Sequence, residues 1–127
     1  LVWDPRRAEL GGLDPDALPC ARPILWKGFC NVHVGFTTRQ IAEVREAHPG
    51  ARVIVHPECT RPVVEAADED GSTEHIIRRC AELPAGSTIA IGTDWNLVNR
   101  LRQRHPDKRI MCLNEHICPC VTMNRID

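Results

Sequence analysis

The chain has 127 residues, which is about the length of one domain. Its hydrophobic fraction of 43% and charged fraction of 26% are ordinary for a soluble globular protein, and a formal net charge of -1 argues against a broad nucleic-acid-binding surface. No apolar run approaches the roughly 20 residues of a membrane helix and no signal-peptide pattern begins the chain, so we predict a cytoplasmic protein with no membrane or nucleic-acid partner.

The first segment, residues 1–22, has the composition of a connector. It holds a Gly-Gly pair and several Pro and Asp residues, which favour turns and extended backbone. The apolar start at Val2 and Trp3, without an initiator methionine, indicates an internal to C-terminal piece of a longer protein. We predict a connector from a preceding domain at 1–22, an α/β/α domain at 23–114, and a loop that begins the next segment at 115–127.

From Pro23 onward, short apolar runs alternate with stretches of helical periodicity. Thr37 or Thr38 is a suitable N-cap for the first long helix, and Pro49-Gly50 ends it. The alternation predicts a three-layer α/β/α domain with a short, mostly parallel four-stranded sheet. The runs predicted as its buried strands are Ile24–Trp26, Val53–Val55, Ile89–Ile91 and Ile110–Leu113.

The chemically capable side chains concentrate in the four loops that follow these runs. In order, the loops read KGFCNVH, HPEC, GTDWN and NEHICPC. In open α/β sheets the ligand site lies beyond the carboxyl ends of the strands, where such loops meet. We therefore expect the functional site at that edge of the sheet.

Two pairs of residues in these loops have spacings suited to a shared site. Cys30 and His33 stand three residues apart, although a buried thiol beside a surface imidazole has the same spacing. His56 and Glu58 flank Pro57, and residues two apart in extended backbone project to the same side. Imidazole and carboxylate serve both as acid/base pairs and as metal ligands, so the sequence leaves their roles open.

The seven cysteines are an odd number, which indicates reduced thiols and not a disulfide scaffold. We expect Cys80 and Cys112 to be buried packing residues, and Cys59 to point away from the predicted site. Cys30 and Cys118 lie on the first and last loops, where each can donate one thiolate to an iron-sulfur cluster above the sheet. Two thiolates are too few for a cubane cluster, so a further ligand must come from elsewhere.

The stretch DGSTEHII has the pattern of a loop that enters a helix. Ser72 or Thr73 can cap this helix, and free backbone N–H groups at a helix start attract a phosphate or a carboxylate. Plain helix capping explains the same pattern.

Taken together, five motifs resemble those of the quinolinate synthase family: LWKGFCNVH, VIVHPEC, DGSTEHII, IGTDWNLVNRL and CPCVTMN. They occur in the family's order between Ile24 and Asp127. The resemblance implies one of three similar domains around a central [4Fe-4S] cluster. It also implies an enzyme of the transferase class that condenses iminoaspartate with dihydroxyacetone phosphate to quinolinate in NAD biosynthesis, with loss of phosphate and water, and a functional link to the enzyme that makes iminoaspartate.

For the cluster, the resemblance implies that Cys30 and Cys118 are two of the three ligands and that Cys120 is a packing residue. The third cysteine and the family's substrate-contacting tyrosines are absent from this chain, so we expect the fragment to be inactive alone. Asp94 stands where the family commonly has glutamate.

For the substrate, the resemblance implies that Glu58, His33 and His56 are active-site groups that bind substrate, ligate the open iron or move protons. It implies that Ser72 and Thr73 contact the substrate phosphate or carboxylate.

The alternative is a non-catalytic domain of the same fold, either zinc-binding or purely structural. A cysteine hydrolase that uses Cys30 with His33 and Glu58 is a weaker interpretation, because nothing marks an activated thiolate or an oxyanion hole.

Overall fold

The computed structural model describes residues 1–115 of the chain. The strands are β1 (Val2–Trp3), β2 (Leu25–Trp26), β3 (Arg52–Val55), β4 (Glu69–Asp70), β5 (Thr88–Gly92) and β6 (Arg109–Cys112). The helices are α1 (Ala8–Gly11), α2 (Thr38–Ala47), α3 (Arg61–Ala66), α4 (Thr73–Glu82) and α5 (Trp95–Arg104), with short 3-10 segments at Pro15–Cys20 and His33–Gly35. None of the helices in this part of the chain is long and apolar enough to cross a membrane.

The main sheet has four strands in the order β4-β3-β5-β6, and every pair is parallel. Because parallel strands are joined by right-handed crossovers, this strand order puts α3 on one face of the sheet and α4 with α5 on the other. Helix α2 contacts α3, while Ile77 of α4 and Leu97 of α5 line a common groove. The predicted α/β fold with a four-stranded parallel sheet is therefore confirmed.

The membership of the sheet differs from the prediction at one strand. The run Ile24–Trp26 does not enter the main sheet, because Leu25–Trp26 pairs with β1 in a separate two-stranded parallel sheet. Ile24 and Leu25 are 54% and 58% exposed, so the prediction of a buried strand is wrong here. The fourth strand is β4, which pairs with Ile54 and Val55 at the sheet edge.

The core is formed by the two central strands and the helices on either side. Val53, Ile54 and Val55 of β3 have no exposed surface, and the same holds for Ile89 to Ile91 of β5. Cys80 and Cys112 are buried in this core, as predicted. Because β3 and β5 are buried on both faces, their carboxyl ends are rigid supports for the loops that follow.

Helix α2 begins and ends at the predicted signals. The Thr37 side chain accepts a hydrogen bond from the Gln40 backbone N–H, and the Gln40 side chain accepts one from Thr37 N–H. This reciprocal capping box satisfies two donors that the helix itself leaves unpaired. At the other end, Gly50 has φ 89, a left-handed conformation that glycine adopts without strain.

The segment before Pro23 has more regular structure than an extended connector, since it contains β1, α1 and a 3-10 turn. Asp4 is its one charged buried side chain among the described residues, and it pairs with Arg6 and Lys27. Hydrogen bonds from Arg6 hold the pKa of Asp4 well below its usual range. The domain boundaries at residues 22 and 114 stay predictions.

Candidate functional site

A cavity of about 320 Å³ lies at the carboxyl ends of β3 and β5. The loops after these strands, the turn before α2 and the start of α4 meet there. Its lining residues are Cys30, Val32, His33, His56, Glu58, Thr73, Thr93, Asp94, Leu97 and Arg100.

His33 is the most constrained polar side chain of the cavity. It is only 8% exposed, and both ring nitrogens have partners. Nδ1 lies 2.9 Å from Oε2 of Glu58, and Nε2 lies 3.1 Å from Oγ1 of Thr93. A carboxylate only accepts, so Nδ1 carries the hydrogen in this arrangement, while the threonine hydroxyl can donate to Nε2. The imidazole is held from both sides.

His56 lies face to face with His33. The ring centroids are 4.2 Å apart with an interplanar angle of 9°. Nδ1 of His56 accepts a hydrogen bond of 3.2 Å from the Glu58 backbone N–H, so the neutral ring carries its hydrogen on Nε2. Burial lowers the pKa of His56 and the neighbouring His33 lowers it further, while the Glu58 carboxylate opposes them. The geometry therefore favours a neutral His56 that can donate from Nε2.

Cys30, His33 and Glu58 form a group with the donor types of a metal site. Their sulfur, nitrogen and oxygen atoms all lie within 4.8 Å of one another. Cys30 is half-buried, and together with Glu58 it also lines a second, more open cavity of about 520 Å³ beside Gly28 and Phe29. The shared wall makes Cys30 accessible from both cavities.

The Cys30 thiol and its surroundings suit one ligand of an iron-sulfur cluster. Thiolate is the usual ligand of such clusters, and a partly accessible thiol beside a histidine and a carboxylate suits that use. The described residues place only this thiol at the site. Cys118, the second predicted ligand, and Cys120 lie outside the described residues.

Ser72 and Thr73 stand at the start of α4. Ser72 is the N-cap, and its side chain accepts a hydrogen bond from the backbone N–H of His75. Thr73 is the first helical residue and lines the cavity together with His33 and His56. The structure therefore brings Thr73 to the site, whereas the Ser72 side chain is used for capping.

Cys59 lies next to Glu58 in sequence but points into the core, as expected. Its Sγ is 3.7 Å from the Gly92 carbonyl oxygen, and the residue is 6% exposed. Burial raises the pKa of the Cys59 thiol to about 11. A thiol that stays protonated near neutral pH is a poor ligand and a poor nucleophile.

Asp94 caps helix α5, a role that the sequence analysis did not assign to it. Its Oδ2 accepts from the backbone N–H groups of Asn96 and Leu97, which caps α5. Oδ1 is buried and has no hydrogen-bond partner within residues 1–115. Asp94 therefore acts as the N-cap of α5 at the wall of the cavity, a role that suits aspartate better than the longer glutamate side chain.

Thr93 and Arg100 are site residues that the sequence interpretation did not single out. Thr93 directly follows β5, in a loop that the sequence predicts to contribute to the site. This position in the chain is the one feature of the sequence that indicates Thr93. Arg100 lies one and a half turns into α5, where only the helix orientation brings it to the cavity.

Comparisons with known proteins show which family the chain belongs to. The family model described as quinolinate synthetase A protein matches residues 8–127. Proteins named quinolinate synthase from Geobacillus kaustophilus, Anoxybacillus flavithermus and Bacillus subtilis are 54%, 57% and 50% identical to the chain over 126 residues.

These alignments cover 99% of this chain and 34% of each relative. The chain therefore spans about a third of the length of the curated relatives it matches. Because the family model covers nearly the whole chain, the chain belongs to the quinolinate synthetase A protein family.

Proposed function

We propose that this chain is the part of a quinolinate synthase that supplies acid/base groups and cluster ligands to its active site. The proposed enzyme is a transferase that condenses iminoaspartate with dihydroxyacetone phosphate, with loss of phosphate and water. The observation that carries the proposal is the convergence of Cys30, His33, His56 and Glu58 on one cavity, in a chain of this family.

The condensation and the dehydrations need protons moved to and from substrate carbon and oxygen atoms. Glu58 is the group placed to accept a proton, because its side chain is 59% exposed and is oriented by His33 Nδ1. His56 is the group placed to donate a hydrogen bond to a substrate oxygen, because its Nδ1 is already occupied and its Nε2 carries the hydrogen. His33 links Glu58 to the buried wall of the site.

Cys30 and Cys118 would hold a [4Fe-4S] cluster, which when bound supplies a Lewis-acidic iron that polarises substrate oxygen. Cys30 lies in the wall shared by the two cavities, so it can hold the group against the His33 and Glu58 side chains.

The phosphate or carboxylate groups of the substrates would bind at the start of α4. The first backbone N–H groups of a helix lack intrahelical partners and favour an anion, and Thr73 brings this end to the cavity. Arg100 adds a positive charge to the same wall. Ser72 contributes by holding the helix start in place.

We propose further that the enzyme works beside the one that makes iminoaspartate, and that it needs the part of the protein outside this chain. The described residues supply one thiolate, whereas a cubane cluster takes more than two.

The proposal is tested on the full-length protein, reconstituted with iron and sulfide, by measuring quinolinate formed from iminoaspartate and dihydroxyacetone phosphate. Glu58→Gln keeps the size and the acceptor oxygen for His33 but removes the charge, so we expect kcat to fall by about 100-fold or more. Glu65→Gln is the control, because Glu65 lies on α3 in an exposed pair with Arg61. Full activity of Glu58→Gln would remove Glu58 from the mechanism, and no quinolinate from the unsubstituted protein would overturn the proposed function.

A further inference from the structure

The side chain of Thr93 contacts His33 directly, but the proposed mechanism assigns no role to Thr93. Thr93 is 3% exposed, and its Oγ1 lies 3.1 Å from His33 Nε2. We propose that Thr93 is a positioning residue that fixes the orientation and the tautomer of the His33 imidazole. This inference rests on the proposed function of the site.

The tautomer follows from the two partners of the ring. Glu58 Oε2 accepts at Nδ1, so a neutral His33 has a bare Nε2. A bare ring nitrogen needs a donor, and the Thr93 hydroxyl is the one within reach among the described residues. Thr93 and Glu58 thus favour the same tautomer from opposite sides of the ring.

Of the two partners, Thr93 is the rigid one. The Glu58 side chain is 59% exposed and its carboxylate can rotate in solvent, whereas Thr93 is buried behind the ring. Threonine is β-branched, and its single side-chain torsion is restricted. Removing the hydroxyl would leave the imidazole with one mobile partner, so the ring could rotate about its Cβ–Cγ bond and its hydrogen could move from Nδ1 to Nε2.

The ring orientation also matters for His56. The two imidazoles stack with centroids 4.2 Å apart and planes within 9° of each other. A His33 ring that turns out of its plane would disturb this stack. Thr93 therefore acts on both histidines through one hydrogen bond.

The position of Thr93 itself does not depend on its hydroxyl. The backbone N–H of His56 donates to the Gly92 carbonyl at 3.1 Å, and Leu113 N–H donates to Ile91, which fix the end of β5 between its neighbours. Thr93→Val keeps the branched shape and removes only the hydroxyl. The substitution tests the hydrogen bond and leaves the backbone as it is.

The experiment uses the full-length protein and compares Thr93→Val, Thr93→Ser and Thr88→Val. Thr88 begins the same strand β5, far from its carboxyl end, so it serves as a matched control. Selective ¹⁵N labelling of histidine, with His33 assigned from the His33→Asn spectrum, reports which ring nitrogen carries hydrogen. Steady-state kinetics of quinolinate formation gives kcat and KM separately.

In Thr93→Val we expect the His33 nitrogen signals to move toward a mixture of tautomers, and kcat to fall on the order of ten-fold with a smaller change in KM. Thr93→Ser should restore both the signals and most of kcat, and Thr88→Val should match the unsubstituted protein. Unchanged His33 signals and unchanged kcat in Thr93→Val would overturn the inference while the proposed function stands. If the unsubstituted protein forms no quinolinate, the proposed function fails, and the nitrogen signals still decide the inference.

Discussion

Among the five cysteines that the structure describes, burial separates three packing thiols from Cys20 and Cys30. Cys59, Cys80 and Cys112 are buried, and burial raises the pKa of Cys59 and of Cys80 to about 11. Such thiols stay protonated near neutral pH and fill space in the core. Cys30 is half-buried and lies with His33 beside the cavity, which suits a metal ligand.

This difference leads to a prediction about cluster assembly in the full-length protein. After anaerobic reconstitution with iron and sulfide, Cys30→Ala and Cys118→Ala should each abolish the cluster, because each removes one of the proposed ligand thiolates. Cys120→Ala should assemble it normally. Iron and sulfide contents with the visible absorption spectrum provide the measurement.

The matched control for this series is Cys20→Ala, which removes an exposed thiol that lines neither of the two cavities beside Cys30. Loss of the cluster in Cys120→Ala to the same extent as in Cys118→Ala would show that the ligand pair is assigned wrongly. A full cluster in Cys30→Ala would exclude Cys30 as a ligand.

The site residues differ in how far the sequence could reveal them. His33, His56 and Glu58 have distinctive chemistry and lie in loops that follow predicted strands, so both residue type and position indicate the site. Thr93 carries a hydroxyl that is equally common in caps and turns, so only the 3.1 Å contact with His33 distinguishes it. Its role depends on a partner 60 residues away, which spacing along the chain does not encode.

At the level of elements, three strands were predictable because they are apolar and buried. Residues 53–55, 89–91 and 110–112 lie in β3, β5 and β6. Strand β4 carries Glu69 and Asp70, and its pairing with β3 rests on backbone hydrogen bonds such as Gly71 N–H to the Val55 carbonyl. An edge strand of this kind leaves no apolar pattern, so the sequence predicts the apolar run Ile24–Trp26 as the fourth strand in its place.

The attachment of α4 to β4 leads to a prediction with a pH dependence. Arg79 Nε and a terminal nitrogen donate to the two carboxylate oxygens of Glu69 at 2.6 and 2.8 Å. Both side chains are at least three-quarters buried, so the pair is partly protected from solvent. Glu69→Gln should destabilise this attachment by about 1–2 kcal/mol at neutral pH, because the ion pair with Arg79 is lost and only one of the two acceptor oxygens remains.

Hydrogen bonding by Arg79 lowers the pKa of Glu69, against the opposing effect of burial. A lowered pKa in the folded state contributes stability above the usual value of 4.5, and this contribution is lost as the pH falls through the folded value. The difference between Glu69→Gln and the unsubstituted protein should therefore shrink below pH 4.5.

Hydrogen exchange of the α4 amides in the full-length protein, compared at neutral pH and in acid, measures this local stability. The control is Glu43→Gln on α2, whose exposed pair with Arg39 should contribute no more than about 0.5 kcal/mol. Equal protection of α4 in Glu69→Gln and in the unsubstituted protein would contradict the prediction, and so would a difference that does not change with pH.

At the scale of the whole molecule, the structure leaves one cavity of the site open and several large apolar side chains exposed. The chain spans 34% of the length of its quinolinate synthase relatives. The second cavity, beside Cys30, is open and is bordered by Phe29, which is 75% exposed. Leu1, Val2, Ile24 and Leu25 around the β1–β2 pair are also exposed, although large apolar side chains are usually covered.

We therefore expect residues 1–127 alone to form no measurable quinolinate, while the full-length protein is active under the same conditions. The reason is the ligand count: the chain offers Cys30 and Cys118 by prediction, and two thiolates do not hold a cubane cluster. The measurement compares quinolinate formation and iron content in both proteins after the same reconstitution. Circular dichroism of the isolated chain is the control. Helix and strand content close to that of residues 1–115 would show that the chain is folded, so that its inactivity reflects an incomplete site and not an unfolded protein. Activity of the isolated chain near that of the full-length protein would show that residues 1–127 hold a complete site, and the requirement for outside ligands would be wrong.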